Sequence, residues 1–357
     1  MMGHAAPLYS VGLWSLAWRR LRSDRLALAA LAVVVAFLLL LLLSAAGLVA
    51  ADWEREVAIS YAPPGLTSTV SPSPGMGGSA DAGARADTGA AATPAGADPV
   101  NPFDPLADDL RALRTQLAAQ APAGGAAALR ARLPFGADKW GHDIVKKTIK
   151  GAQTSVLVGL AAALLAVGLG TLFGALSGYA GGWVDDFFNW FYSVFTAIPS
   201  ILMILTVAAV LQQKGVASIV LILGLTGWTG PYRLMRAEYL RHKGREYVLA
   251  AEAIGASHWR RMALHIFPNV SHVALVQLSI LSVGFIKAEV ILNFLGFGVP
   301  VGVVSWGSML SEAQGELLLG IWWQLCAATL AMALLVTALS LLADALRDAL
   351  DPRVAHG

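Results

Sequence analysis

Six apolar stretches, each long enough to cross a bilayer as a helix, constrain this chain more than any other feature. They run roughly over 26–50, 152–179, 187–211, 216–236, 269–294 and 321–345. A hydrocarbon core about 30 Å thick takes about 20 helical residues, and inside it every backbone N–H and C=O must be paired within the segment. The expected fold is therefore an all-α membrane protein with six transmembrane helices. Composition agrees, since 57% of residues are hydrophobic and 13% charged, against about 45–50% and about 25% in soluble domains.

Arg19, Arg20, Arg22 and Arg25 precede the first apolar run. That run is about 25 residues long, beyond the roughly 7 to 15 of a signal-peptide core, so it reads as a spanning helix with a cytoplasmic N-terminus. Six crossings return the C-terminus to the same side, and Arg241, Lys243, Arg245, Arg260 and Arg261 place residues 237–268 there too by the positive-inside bias. The expected organisation is a cytoplasmic segment (1–25), the first helix (26–50), an external loop (51–150), a five-helix core (151–345) that includes a cytoplasmic loop at 241–268, and a cytoplasmic tail (346–357). Lys139, Lys146, Lys147 and Lys150 close the external loop against the bias, which loops longer than about 60 residues largely escape. Within that loop, residues 62–102 are rich in Pro, Gly, Ala, Ser and Thr and read as a flexible linker. Residues 105–119 show helical spacing and read as a short external helix.

Several function classes fall away. The net charge is +2 and the basic residues cluster beside apolar spans, so no nucleic-acid partner is expected. The single cysteine, Cys326, lies in an apolar span and supports neither a disulfide framework nor a thiolate metal cluster. The string GxxxxGK[ST] is absent, which excludes a Walker-type ATP site in this chain. No GxSxG elbow or paired membrane aspartate supports catalysis, so no catalytic residue is expected. Asp138 and His142, with Asp143 beside them, have metal-ligand spacing if helical, but Gly136 and Gly141 disfavour a helix and further ligands are missing, so no metal is expected. His258, His265 and His272 recur every seven residues, yet Pro268 interrupts the helix that would align them; they read as surface and cap residues.

Gly170, Gly174, Gly178 and Gly182 form overlapping GxxxG pairs, a stripe that lets another helix approach closely where lipid offers no hydrophobic drive. Lys287 and Glu289 fall inside the fifth span, where a charge costs on the order of 2.5 to 3.5 kcal/mol and must face the bundle or an aqueous path. One reading makes them line a translocation path; the other makes them interhelical pairing groups or places them nearer the membrane interface. Two positions apart, they do not share a helix face.

The loop REYVLAAEAIGASHWRRMALHIFPN, residues 245–269, has its own internal pattern. Tyr247, Ala250, Ala251 and Ile254 sit at 0, 3, 4 and 7, one face of a helix, with Glu246 favoured at its start. Gly255 suits a left-handed corner, Ser257 can cap a following helix, and Pro268 suits the start of the next membrane helix. Two short helices joined by a glycine corner form a handle for a soluble partner. The alternative is an amphipathic helix lying on the lipid surface through Trp259, Arg260 and Arg261.

This handle resembles the EAA loop of permease subunits in bacterial ABC importers. Leu249-Ala250-Ala251 is followed by Gly255 and then Pro268 at the motif's spacing, with Leu249 in place of its Glu, and His265 and Phe267 in place of its usual Ile and Leu. WRRLRSDRLALAALAVV resembles the N-terminal segment of the second permease of dipeptide, oligopeptide and nickel importers. LPFGADKWGHD resembles its FGTDxxGRD stretch with His142 for Arg, FLGFGVPVGVVSWGSML its FLGLGxPxxxxSWGxML segment, and ALRDALDPR its C-terminal end. The likeness covers residues 14–50 and about 134–353, leaving an external insert longer than that family's norm. It implies an inner-membrane subunit that moves oligopeptides, dipeptides or a related solute inward, as half of a heterodimeric path. Its implied partners are a second permease, two soluble ATPases and a periplasmic binding protein. ATP and magnesium would reside in the ATPases, and no cofactor in this chain. The coupling residues it implies are Glu246, Tyr247, Leu249, Ala250, Ala251, Gly255, Ala256, Ser257 and Pro268. An ion-coupled carrier using Lys287 and Glu289, or a scaffold using the external insert, are the competing readings.

Overall fold

The computed structural model describes residues 22–65 and 132–350. The linker expected beyond residue 65 and the helix expected over 105–119 lie outside the described residues. Among the described residues the chain is helical, with two isolated β-bridges and no strand.

Helix α1 (Arg25–Ala45) starts where the Asp24 carboxylate accepts from the Leu26 and Ala27 N–H groups, and it stops short of the expected residue 50. Helix α2 (Ile144–Ala180) begins at its cap Asp143, earlier than the expected 152. The third span is two helices, α3 (Gly182–Ala197) and α4 (Ser200–Leu211), bent by 95°. Pro199 causes the break: it cannot donate, and it forces Ile198 into an extended conformation (φ −95°, ψ 131°). The expected fourth span is likewise divided, into α5 (Val216–Thr226) and α6 (Thr229–Lys243), because Pro231 is tolerated only in the first turn of a new helix. Helices α7 (Glu246–Ala253) and α8 (His258–Arg260) follow. A π-turn (Arg261–Ile266) then leads without interruption into α9 (Phe267–Phe294). Helices α10 (Trp306–Leu318) and α11 (Trp323–Leu350) complete the chain.

Four helical runs, α1, α2, His258–Phe294 and α11, are long and apolar enough to cross a membrane, and the bent α3–α4 pair makes a fifth. Of the six stretches read from hydropathy, the third is bent at Pro199 and the fourth is divided between α5, with only 11 residues, and α6. Hydropathy averages over a window and does not register a single proline or glycine that redirects the chain.

Small residues put α2 at the centre, in contact with α1, α3, α5, α6, α9, α10 and α11. A Cβ on Gly170 would lie 2.6 Å from the Trp228 carbonyl oxygen, one on Gly174 2.7 Å from that of Tyr232, and one on Gly178 2.6 Å from that of Arg236. The α2 and α6 backbones therefore touch directly. Gly182 is not part of this face: it opens α3 at φ +53°, with open space where a Cβ would be. Beside this interface a bidentate ion pair ties α6 to α3, Arg236 donating to both Asp185 oxygens at 2.6 Å, with the Ser177 hydroxyl of α2 on the same carboxylate.

At the Ile144 end of the bundle, residues 57–65 clasp residues 132–143. The Gly65 N–H donates to the Leu133 carbonyl, and the Ala137 N–H to that of Ala62, both at 2.9 Å. Ala62, expected to open the flexible linker, is fully buried in this clasp. Lys147, 3% exposed, fastens it to the helices, donating at 2.8 Å to Asp138 and to Glu312 of α10 and at 3.2 Å to Gln324 of α11. Burial alone would raise the Asp138 pKa, but the Lys147 ammonium and the His142 backbone N–H hold it below the ordinary carboxylate value. His142 Nδ1 lies 3.0 Å from the same carboxylate. The Asp138–His142 pair thus belongs to an ion-pair network.

Replacing Gly174 by Leu should separate α2 from α6, at an overpacking cost of about 1–3 kcal/mol. Gly168→Leu, on the open face of the same helix, should be neutral. Thermal aggregation of the detergent-extracted protein checks this, and equal midpoints for the two variants would refute the backbone contact as a determinant.

Candidate functional site

Helix α6 ends in Arg241, His242 and Lys243, and the chain turns through Gly244 into α7. Eight residues long, α7 cannot persist alone and is held by the groove it lies on. Val248, 2% exposed, drops into a cluster with Ala175, Met235, Tyr239, Met262 and Ile266, and Ala251 is buried beside it. The inward face is thus Val248 and Ala251; of the four residues expected to share one helix face, Tyr247, Ala250, Ala251 and Ile254, only Ala251 is buried. Tyr247, Leu249 and Ala250 are exposed, and Ile254 is 85% exposed.

The corner after α7 is a double hydrogen-bonded cap. The Ala256 N–H donates to the Ala251 carbonyl at 3.0 Å and the Gly255 N–H to that of Glu252 at 2.9 Å, with Gly255 at φ +84°. Nothing lies within 4 Å of a Cβ built on Gly255, so its constraint is the backbone conformation alone. The Ser257 hydroxyl then accepts from the Arg260 N–H at 3.4 Å. Arg261 reaches back to Glu252 at 2.7 Å and closes the two-helix corner. Glu246 sits in the first turn of α7, where the helix dipole favours it, and is exposed.

Pro268 does not begin a separate helix. The preceding turn widens so that the Phe267 N–H bonds to the Met262 carbonyl, five residues back, and the helix passes through the proline. The expected interruption is therefore a π-turn. His258, His265 and His272 still do not converge. His258 Nδ1 lies 3.1 Å from the Tyr179 hydroxyl and 3.0 Å from Arg261 Nη2.

Lys287 and Glu289 take opposite roles. Lys287 is exposed, while Glu289 is fully buried where α2, α9 and α10 meet. The Ser305 hydroxyl donates to Glu289 at 2.6 Å and that of Ser155 at 3.1 Å, and the Asn293 amide donates to the same carboxylate. Ser155 also accepts from the Trp306 N–H, and the fully buried Trp306 indole donates to the Thr148 carbonyl at 3.0 Å. A Cβ on Gly307 would come within 2.8 Å of the Glu289 carboxylate. The string Ser305-Trp306-Gly307 is thus a lid of hydrogen-bond donors and bare backbone over one buried acid. Lys287 and Glu289 thus do not face the same surroundings. The signal for this hub was present as SWG, but its partner Glu289 lies in another helix, and nothing local couples the two.

Comparison with known proteins bears on two stretches of the chain. Residues 170–356 match the family described as the binding-protein-dependent transport system inner membrane component, and residues 12–64 match the N-terminal transmembrane domain of oligopeptide transport permease C. The dipeptide transport system permease protein DppC of Bacillus subtilis is 34% identical over 220 residues, spanning 62% of this chain and 68% of its own. The oligopeptide transport system permease protein OppC of the same organism is 35% identical over 220 residues, 62% of this chain and 72% of its own. OppC of Haemophilus influenzae is 32% identical over 219 residues, 61% and 70% respectively.

Tyr247 also anchors α7 to α6, its hydroxyl lying 2.7 Å from His242 Nδ1. Burial pushes the His242 imidazole below its ordinary value, outweighing the Glu238 carboxylate 3.6 Å from Nε2. A depressed pKa means the folded loop binds the proton less well than the unfolded chain. Loop stability should therefore be full above about pH 6.5 and fall as pH drops through the lowered value. Hydrogen exchange of the α7 amides should accelerate in that window after correction for intrinsic rates, and His242→Gln should flatten the response.

Proposed function

Because this chain belongs to the family of inner-membrane components of binding-protein-dependent transport systems, we propose that it is the permease subunit of an ATP-driven importer of dipeptides, oligopeptides or a related solute, and that α7 and α8 couple it to a soluble ATPase. The observation carrying the coupling role is the exposure of Leu249, Ile254 and Trp259, at 52%, 85% and 67%, on a corner whose backbone is fully organised. Apolar residues held outward on a rigid corner suit burial in a partner's groove.

In this reading the N-terminus, the loop 246–268 and the C-terminus are cytoplasmic, and the clasp of residues 57–65 with 132–143 faces the periplasm. A second permease completes the path, two ATPase subunits bind ATP and magnesium, and a periplasmic binding protein delivers the solute. The chain itself translocates and does no bond chemistry. ATPase closure moves the helices only through contacts that differ between inward- and outward-facing states. The direct α2–α6 contact would carry that movement from α7 into the bundle. Leu249, where the EAA motif has Glu, offers the ATPase an apolar contact at that position. An ion-coupled carrier built on a Lys287–Glu289 pair loses its central element, since only Glu289 is buried.

The test is affinity purification of the tagged chain from its native membrane. Two ATPases and a second permease should accompany it. Ile254→Asp, a change at an exposed position, should lower ATPase recovery by about tenfold or more without loss of the second permease, the size expected for an interface anchor. Gly255→Val should insert normally yet lose solute uptake, because a β-branched residue tolerates positive φ poorly. Recovery of the chain without ATPases, or wild-type uptake by both variants, would overturn the coupling assignment.

A further inference from the structure

Beneath the corner of α7 and α8 lies a cavity of about 550 Å3. Leu176 and Met262 make part of its lining apolar, while Lys243, Arg261, Tyr179 and Trp259 make the rest cationic and aromatic. Two cations converge on the Tyr179 ring, the Lys243 ammonium 5.6 Å and the Arg261 guanidinium 6.0 Å from its centroid. One carboxylate, Glu252, shares the lining. Arg261 is 7% exposed, with one terminal nitrogen on Glu252 and the other on His258 Nδ1, yet its buried Nε has no partner. A buried guanidinium with an unused N–H is one acceptor short, and leaving such a donor unpaired costs stability.

The cavity also sits at a definite level. The apolar face of α2 ends at Tyr179, and Trp183, 80% exposed, follows directly after Gly181 and Gly182. Tyr and Trp mark the plane where hydrocarbon gives way to headgroups, and basic pockets between helices on the cytoplasmic side take anionic headgroups. Exposed Arg241, Arg245 and Arg260 add positive charge to the surrounding sequence.

We propose that this cavity binds the headgroup of an anionic phospholipid of the inner leaflet. Its phosphodiester would satisfy Arg261 and Lys243, and its glycerol and first acyl carbons would lie on Leu176 and Met262. A free phosphate offers the same anionic chemistry, but the apolar part of the lining matches the lipid. Bound there, the lipid supports α7 from below, so membrane composition sets how firmly the coupling corner is held. The inference rests on the cytoplasmic orientation given above and not on transport, so a failed uptake assay leaves it standing and its own failure leaves the importer reading intact.

Native mass spectrometry of the purified, delipidated full chain tests it, with phosphatidylglycerol, phosphatidylcholine and glycerol 3-phosphate as probes. One phosphatidylglycerol should be retained per chain, about tenfold tighter than phosphatidylcholine. Lys243→Gln, a change at an exposed position outside the Glu252–Arg261 pair, should weaken it by about tenfold, the scale of one charge-assisted contact. Glycerol 3-phosphate should not displace the lipid. Equal retention of the two lipids, or an unaltered Lys243→Gln variant, would overturn the proposal. Displacement by glycerol 3-phosphate would reassign the cavity to a soluble phosphate. Release of the lipid on adding the ATPase subunits would reassign it to an acidic side chain of that partner.

Discussion

Where Gly170, Gly174 and Gly178 of α2 meet the backbone of α6, α2 places no side chain between the two helices. In lipid, apolar side chains gain nothing by leaving the solvent, so close packing and hydrogen bonds must hold helices together. This contact does so from Gly170 to Gly178, and the Asp185–Arg236 ion pair ties α6 to the start of α3 beside it. The C-terminal end of α6 is therefore fixed, and α7 hangs from that end. The position of the α7 corner is thus set by the helix pair beneath it, through residues that have no side chain.

Two polar hubs inside the bundle hold helices together in the same way, by hydrogen bonds in place of apolar drive. Glu289 of α9 gathers Asn293 from its own helix, Ser155 from α2 and Ser305 at the start of α10, so its burial adds a polar tie to three elements that also meet in an apolar cluster of Ala152, Ile286 and Trp306. Lys147 does the equivalent job at the Ile144 end, collecting Asp138, Glu312 and Gln324. Removing one partner from either group strands the others without water to replace it. These hubs specify how α10 lies on the bundle, which its amphipathic pattern alone leaves open.

Much of this was legible in the residues. The apolar runs located the helices, the GxxxG spacing located the tight face, and Gly255 announced the left-handed corner. The errors have specific causes. Pro199 and Pro231 each divide a run that hydropathy alone reads as continuous. Pro268, read as a helix start, is instead absorbed by a π-turn, since one wider turn leaves free the bond that proline cannot make. Which face of α7 turns inward, that of Val248 and Ala251, is decided by the groove it lies on and is not carried by eight residues alone. The direction that Lys287 and Glu289 each face depends on neighbours supplied by α2 and α10. The Arg261–Glu252 closure is invisible locally because it needs the corner at Gly255 to bring the two together.

The clasp at Gly65 and Leu133 bears on how the chain tolerates change. Residues 65 and 133 are hydrogen-bonded neighbours, so the chain leaves the bundle and re-enters it at one place. Topologically, whatever runs between them is a side branch on a closed ring. The helices before and after keep their register whether that branch is long or short, because the ring and not the branch carries the geometry. A lineage could lengthen, trim or exchange it while the membrane core evolves under separate constraints, which accounts for an insert of unusual length sitting on an otherwise ordinary permease.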